Sequence, residues 1–192
     1  MLIRAATLVD LNGCLELDAD SQTDHVWQME ERQDQGLVVR FQVVRLPRVM
    51  RVVYPRLRDD LIDRWEGGSL VLVASDQRPA ELEVDQVELG EPHVLPRVFA
   101  YCQLDDWPWQ RTGWIEHLIV DRRLRRKGIG RAMIRACVAW ARQKKLERLM
   151  IAVQTKNYPA ISFCEKNGFV FCGFNDCYFP NRDIALFFAL RV

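Results

Sequence analysis

Arg125-Arg126-Lys127-Gly128-Ile129-Gly130 is the stretch of this chain best suited to chemistry. It follows an apolar run, Trp114 to Val120, that reads as a strand, and it opens a segment with an apolar stripe that reads as a helix. A strand feeding a glycine turn and a helix N-terminus makes an anion site. The free N–H groups of the first helical turn point outward, and the helix dipole favours negative charge there. Glycine lets a ligand approach the backbone with no Cβ in the way. Between Arg122 and Arg131 there are six basic residues and no acidic one. The pattern predicts a polyanionic guest such as a pyrophosphate. The spacing fits neither the Walker P-loop nor the dinucleotide fingerprint, which needs a third glycine. For a lone Gly-x-Gly, the bland alternative is a tight β–α turn with a solvated basic rim.

The residues downstream sharpen the choice. Arg-x-x-Gly-x-Gly at Arg125 to Gly130 resembles the acyl-CoA-binding motif of the GNAT superfamily of N-acetyltransferases. Val120-Asp121 precedes the loop, as that family's strand end does. After the helix come a strand-like run, Leu146 to Val153, then Asn157, then Ala160-Ile161-Ser162-Phe163-Cys164-Glu165-Lys166-Asn167-Gly168-Phe169. This is similar to the family's Asn-x-x-Ala-x-x-Phe-Tyr-Glu-Lys-x-Gly-Phe signature, with Cys164 in the place of the tyrosine. The resemblance covers Trp114 to Phe174, and residues 1–113 match only in their order of elements. Ile115-Glu116-His117, the basic loop, and the tail from Gly173 to Phe188 also resemble the streptothricin acetyltransferases within the superfamily.

The resemblance implies an α/β (α+β) fold, a mixed and mostly antiparallel central sheet flanked by helices on both faces. It also implies acetyl-CoA as cosubstrate. The pyrophosphate would sit on the backbone N–H groups around Arg125, Arg126, Lys127, Gly128, Ile129, Gly130 and Arg131. The pantetheine arm would lie along Leu118-Ile119-Val120, bonding its backbone as a strand would. That strand would splay from Leu149 to Val153 to leave a slot, with a backbone N–H near Leu118 facing the thioester carbonyl. Asn157 would bond the pantetheine; its alternative is a helix N-cap ahead of Pro159.

Acyl transfer to an amine also needs a base, and the leaving thiolate takes up a proton. Glu116 is the candidate base. It lies in an otherwise apolar strand, and apolar surroundings make a carboxylate more basic. The alternative is an exposed residue paired with a neighbouring Lys or Arg. Strand alternation would turn His117 to the other face. Cys164 stands where the family's acid stands. A thiol has an unperturbed pKa of about 8.5 against about 10 for tyrosine, so it could deliver the proton, although with a shorter reach. Buried packing is its alternative role, and Tyr158 or Tyr178 could substitute. Asp105, Trp107 and Trp109 border the acceptor side in the family's layout, where acid plus aromatic suits a cationic amine. The acidic run Glu81, Glu83, Asp85, Glu88 and Glu91 reads as a solvated loop.

Composition bounds the rest. The 192 residues suit a single domain, 1–192, with an extra strand or hairpin segment at about 37–54. A net charge of +1 supplies no global field for nucleic acid, so the basic loop is local chemistry. Six cysteines without Cys-x-x-Cys spacing and three histidines argue against a metal site. The N-terminus shows no long apolar run, and the expectation is a cytoplasmic protein with no membrane span.

The periodicity predicts strands at Leu2–Ala6, Leu37–Leu46, Val49–Tyr54, Leu70–Ala74, Val94–Leu104, Trp114–Val120, Leu149–Val153, Phe169–Gly173 and Ile184–Arg191. It predicts helices at Asp10–Asp18, Thr23–Arg32, Arg58–Trp65, Ile129–Lys144 and Pro159–Lys166. An exposed final strand would offer an edge for a homodimer. The function expected is acetyl transfer to a primary amine, of a small cationic molecule, by direct attack on the thioester. A protein or peptide acceptor of the ribosomal-protein type, and a non-catalytic acyl-CoA sensor, are the alternatives.

Overall fold

A computed structural model describes residues 1–33, 36–76 and 96–192. Its elements in chain order are β1 (Leu2–Ala5), α1 (Leu8–Leu15), β2 (Ser21–Gln33), β3 (Leu37–Val52), α2 (Leu61–Glu66), β4 (Leu70–Ser75), β5 (Val98–Trp107), β6 (Thr112–Val120), α3 (Ile129–Gln143), β7 (Arg148–Gln154), α4 (Tyr158–Lys166), β8 (Val170–Asn175) and β9 (Ala185–Arg191). Seven strands form one sheet in the order β1-β4-β5-β6-β7-β9-β8, and β2 pairs with β3 apart from it. Every join in the large sheet is antiparallel except β6–β7. The mixed sheet predicted for the chain is therefore present.

Strand alternation divides the core. Leu72 and Ala74 of β4 join Ile129, Met133, Cys137 and Ala141 of α3 and Ile161 and Cys164 of α4. Val71 and Val73, the alternate residues, join Leu11 and Cys14 of α1 and Leu61 of α2. Helices thus cover both faces. The apolar stripe of α3 recurs at the spacing a helix needs to turn one side inward.

Three sequence expectations need correction. Thr23–Arg32 is not a helix but most of β2, paired antiparallel with β3. Its Glu, Gln and Arg content suits a helix, but cross-strand pairing and burial of Trp27 against Phe41 (ring centroids 6.2 Å apart) override that preference. The predicted break at Pro47 is instead a bulge within β3. His25 pairs with Arg45 and Thr23 with Met50, so Pro47 falls in the unpaired stretch, where its missing N–H costs nothing. Finally, the last strand is no edge: β9 lies between β7 and β8, and β8 is the edge.

The hairpin folds onto the α3–α4 side of the sheet. Phe41 meets Phe171 at 5.6 Å and Phe174 at 5.4 Å, and Trp27 meets Phe188 at 6.3 Å. The acidic run Glu81 to Glu91 and the first residues of the Val94–Leu104 prediction lie outside the described residues. Among the described residues, no helix is long and apolar enough to cross a membrane.

Candidate functional site

The β6–β7 join opens halfway along. Register pairs run from Thr112↔Arg148 to Ile115↔Ile151 and stop, although β7 continues to Gln154 and β6 to Val120. On its other side, β6 stays paired with β5 up to Val120↔Ala100. Residues 116–120 therefore present one edge without a strand partner. Leu118, Ile119 and Val120, along which a slot was expected, lie on this edge.

A bulge marks where the slot begins. Gln103 pairs with His117 and Leu104 with Ile115, which leaves Glu116 with no partner on β5. A bulge resets the in–out alternation. Ile115 and Leu118 accordingly pack with the α3–α4 core, while Ile119 packs with the α1–α2 core. The alternation that would send Glu116 and His117 to opposite faces breaks here. Glu116 pairs with Arg56, and His117 Nδ1 bonds the Tyr54 hydroxyl at 2.8 Å, so both reach the segment after β3.

The loop after β6 carries the residues expected to hold an anion. Arg126 (φ 64°) and Gly128 (φ 85°) are both left-handed, and Gly128 is the N-cap of α3. A non-glycine residue held there is strained, a condition that clusters at ligand sites. The two glycines differ in purpose. A Cβ at Gly128 would meet nothing within 4 Å, so the approach is open. A Cβ at Gly130 would lie 3.0 Å from the Phe163 ring, so that glycine is required by α3–α4 packing. Arg126, Lys127 and Arg131 form no ion pair among the described residues. Arg125 is turned inward: its guanidinium donates to the carbonyls of Asp18 and Asp20 at 2.7 Å each and to that of Val120 at 3.1 Å. Its side chain ties the α1–β2 connection to the loop.

Asn157 caps α4, as its structural alternative required. Its Oδ1 accepts from Ala160 N at 3.3 Å and from Ser21 Oγ at 3.1 Å, while its Nδ2 has no protein partner among the described residues. Cys164 is 1% exposed and sits in the α3–α4 core. Burial pushes its thiol up to about 12. The structure gives it the buried packing place that was weighed against the acid role.

Trp109 and Trp107, expected on the acceptor side, open a line of rings. Trp109 stacks on Trp107 at 6.5 Å; Trp107 meets Trp114 at 5.3 Å, Trp114 meets Phe187 at 6.0 Å, and Phe187 meets Tyr178 at 5.1 Å. Trp109 is 79% exposed, and the line ends at Arg56 and Glu116. Asp105 accepts hydrogen bonds from Ser69 Oγ and from Arg64. Asp106 lies 3.5 Å from Lys144. His117 is enclosed beside Tyr101, and burial, with Arg56 nearby, pushes it down to about 3, so it stays neutral. Among the described residues no cluster of three or more His, Cys, Asp or Glu side chains is placed to hold a metal ion.

Arg56, Tyr54 and Phe187 escaped the sequence reading. Arg56 follows Pro55 in a stretch without periodicity, and only the fold carries it to β6.

A family model described as the Acetyltransferase (GNAT) family matches residues 52–169. The streptothricin acetyltransferase of Streptomyces lavendulae is 34% identical over 71 residues, 37% of this chain and 38% of that protein. The match thus spans a little over a third of the length of the curated relatives. Among solved structures, nourseothricin acetyltransferase superposes with a TM-score of 0.77 at 19% identity, covering 99% of this chain and 97% of that one. A Bacillus anthracis protein assigned as a streptothricin acetyltransferase, solved with acetyl coenzyme A, gives 0.73 at 20% identity, covering 100% and 99%. At these identities the structures establish a shared fold.

Proposed function

Because the chain belongs to the GNAT acetyltransferase family, we propose that it transfers an acetyl group from acetyl-CoA to a primary amine of a small cationic molecule. The observation that carries this reading is the half-open β6–β7 join, which begins at Glu116 and ends beside the anion loop. On this reading the pyrophosphate rests on the N–H groups from Arg126 to Arg131. Gly128 gives open access and Lys127 and Arg131 add charge. The pantetheine arm fills the unpaired edge of Leu118, Ile119 and Val120, and the Asn157 Nδ2 donates to it.

Glu116 takes the proton as the amine attacks the thioester carbon. With Cys164 buried, no acid is assigned to the leaving group. The CoA thiol, with an ordinary pKa of about 8.5, leaves acceptably as thiolate. Trp107 and Trp109 receive further positive charge of the acceptor on their faces. A small acceptor is favoured because the Tyr54–Arg56 segment closes over the base, leaving the Glu116 side chain 13% exposed. The name of the Streptomyces lavendulae relative supports a streptothricin-like polyamine. One sheet joins β1 near the start of the sequence to β8 and β9 near its end, which supports reading residues 1–192 as one domain.

The test is incubation with acetyl-CoA and four acceptor classes (streptothricin-like, aminoglycoside, simple polyamine and N-terminal peptide), following release of CoA thiol. Release with a small polycation is expected. Release with the peptide alone would replace the acceptor assignment, and no release from any would overturn it.

A further inference from the structure

Glu116 does not face an empty slot. Its carboxylate is paired with Arg56, and both side chains are mostly enclosed, at 17% exposure for Arg56 and 13% for Glu116. Arg56 is held from three directions. Its Nη1 donates to Glu116 Oε2 and its Nη2 donates to the Tyr178 hydroxyl at 3.2 Å. Its guanidinium carbon lies 5.3 Å from the centre of the Tyr178 ring and 5.7 Å from that of Phe179. A fixed cation therefore stands at the carboxylate assigned to receive the acceptor's proton.

This placement bears on the state of the acceptor. An amine attacks a thioester only through a free lone pair, yet an alkyl ammonium such as lysine's titrates near about 10.4. A like charge close by disfavours the ammonium form. We propose that Arg56 is a positioning residue that, by holding its guanidinium beside Glu116, selects the reacting amine in its neutral form. The inference rests on the transferase reading above. The acceptor's first proton goes to water on binding. The neutral nitrogen then bonds to the thioester carbonyl carbon, its second proton passes to Glu116, and the C–S bond breaks to release CoA thiolate and the amide.

The surrounding groups leave Arg56 in this role. Glu116 and His117 face it from β6, Tyr178 from the segment before β9, and Tyr54 from its own segment. Arg64 lies near Glu116 and is itself paired with Asp60 and Asp105, and Arg58, Asp60 and Arg64 lie near His117. His117 is neutral above about 3, and burial pushes the Tyr54 hydroxyl up, so neither changes charge in the working range.

The experiment compares Arg56→Gln and Arg56→Lys with the wild-type chain on two acceptors of matched shape. One is an ordinary primary amine, the other its β,β,β-trifluorinated analogue, which is mostly neutral at pH 7. The pH profile of kcat reports groups titrating in the bound complex. Glu116 contributes equally with both acceptors, so the difference between them isolates the amine. With R56Q, the acid limb for the basic amine is expected to move up by about one pH unit, with about tenfold lower kcat at pH 7. The fluorinated amine should lose little, and R56K should keep the wild-type limb. Acetyl-CoA affinity by calorimetry identifies folded variants; if R56Q does not fold, a shifted limb in R56K overturns the inference and a wild-type limb supports it. Equal losses on both acceptors, or no loss on the basic one, overturn it. A wild-type chain inactive on both overturns the transferase reading, and the inference with it.

Discussion

The two faces of the sheet are built differently. Under α3 and α4, Met133, Cys137, Ile161 and Phe188 are fully or almost fully buried in one apolar cluster. Beside α1 and α2, the enclosed groups include Asp10 bonded by Arg4, His117 bonded by Tyr54, and the Arg56–Glu116 pair. Enclosed charge is weak as a stabiliser, because desolvation offsets attraction. The first face supplies rigidity to the loop and helix that would hold the cofactor. The second keeps polar groups where an acceptor would react.

The comparison can be broken from either side. Met133→Ala, in the apolar cluster, should lower unfolding free energy by about 2–5 kcal/mol, read from the urea midpoint, with activity per folded molecule retained. An unchanged midpoint would remove α3 from its structural role. Gly128→Trp should reduce acetyl-CoA affinity by at least about a hundredfold, or about 2.7 kcal/mol, in a chain that keeps its far-UV dichroism. Calorimetry showing wild-type binding would refute the loop assignment. Glu116→Gln, on the polar face, should lower kcat by at least about tenfold with acetyl-CoA affinity unchanged; unaltered turnover would leave the base elsewhere. Smallest is Trp109→Ala. An exposed cation–π contact of about 0.5–1 kcal/mol would raise acceptor KM only a few-fold, and a fall in kcat instead would place Trp109 in the chemistry.

The same division explains what could be read in advance. The loop, α3, the slot strand and the α4 signature occupy one continuous stretch, and local spacing reports local geometry. Residues 129–143 form a helix where the stripe predicts one, and the β6–β7 pairing stops at Ile115. The polar face is assembled from distant positions: Arg56, Glu116 and Tyr178 meet only through tertiary packing. No period links them, so Arg56 left no trace. Bulges were equally invisible. The one at Glu116 redirects His117, and strict alternation gives the wrong face. The hairpin failed for a related reason: the Ser21–Gln33 composition favours a helix, and only its partner strand makes it extended.

The half-open join has a mechanical consequence. β7 holds β9 along its whole length, from Arg148↔Arg191 to Gln154↔Ala185, but holds β6 only from Thr112 to Ile115. The strands therefore form two panels, β1-β4-β5-β6 and β7-β9-β8, riveted at one end and gaping at the other. A pantetheine arm seated in the gap would act as a tie-bar across the panels. Under the proposed reading, saturating acetyl-CoA should raise the melting temperature and slow amide exchange in Ile151 to Gln154, because the bound arm would finish a sheet that the polypeptide leaves incomplete.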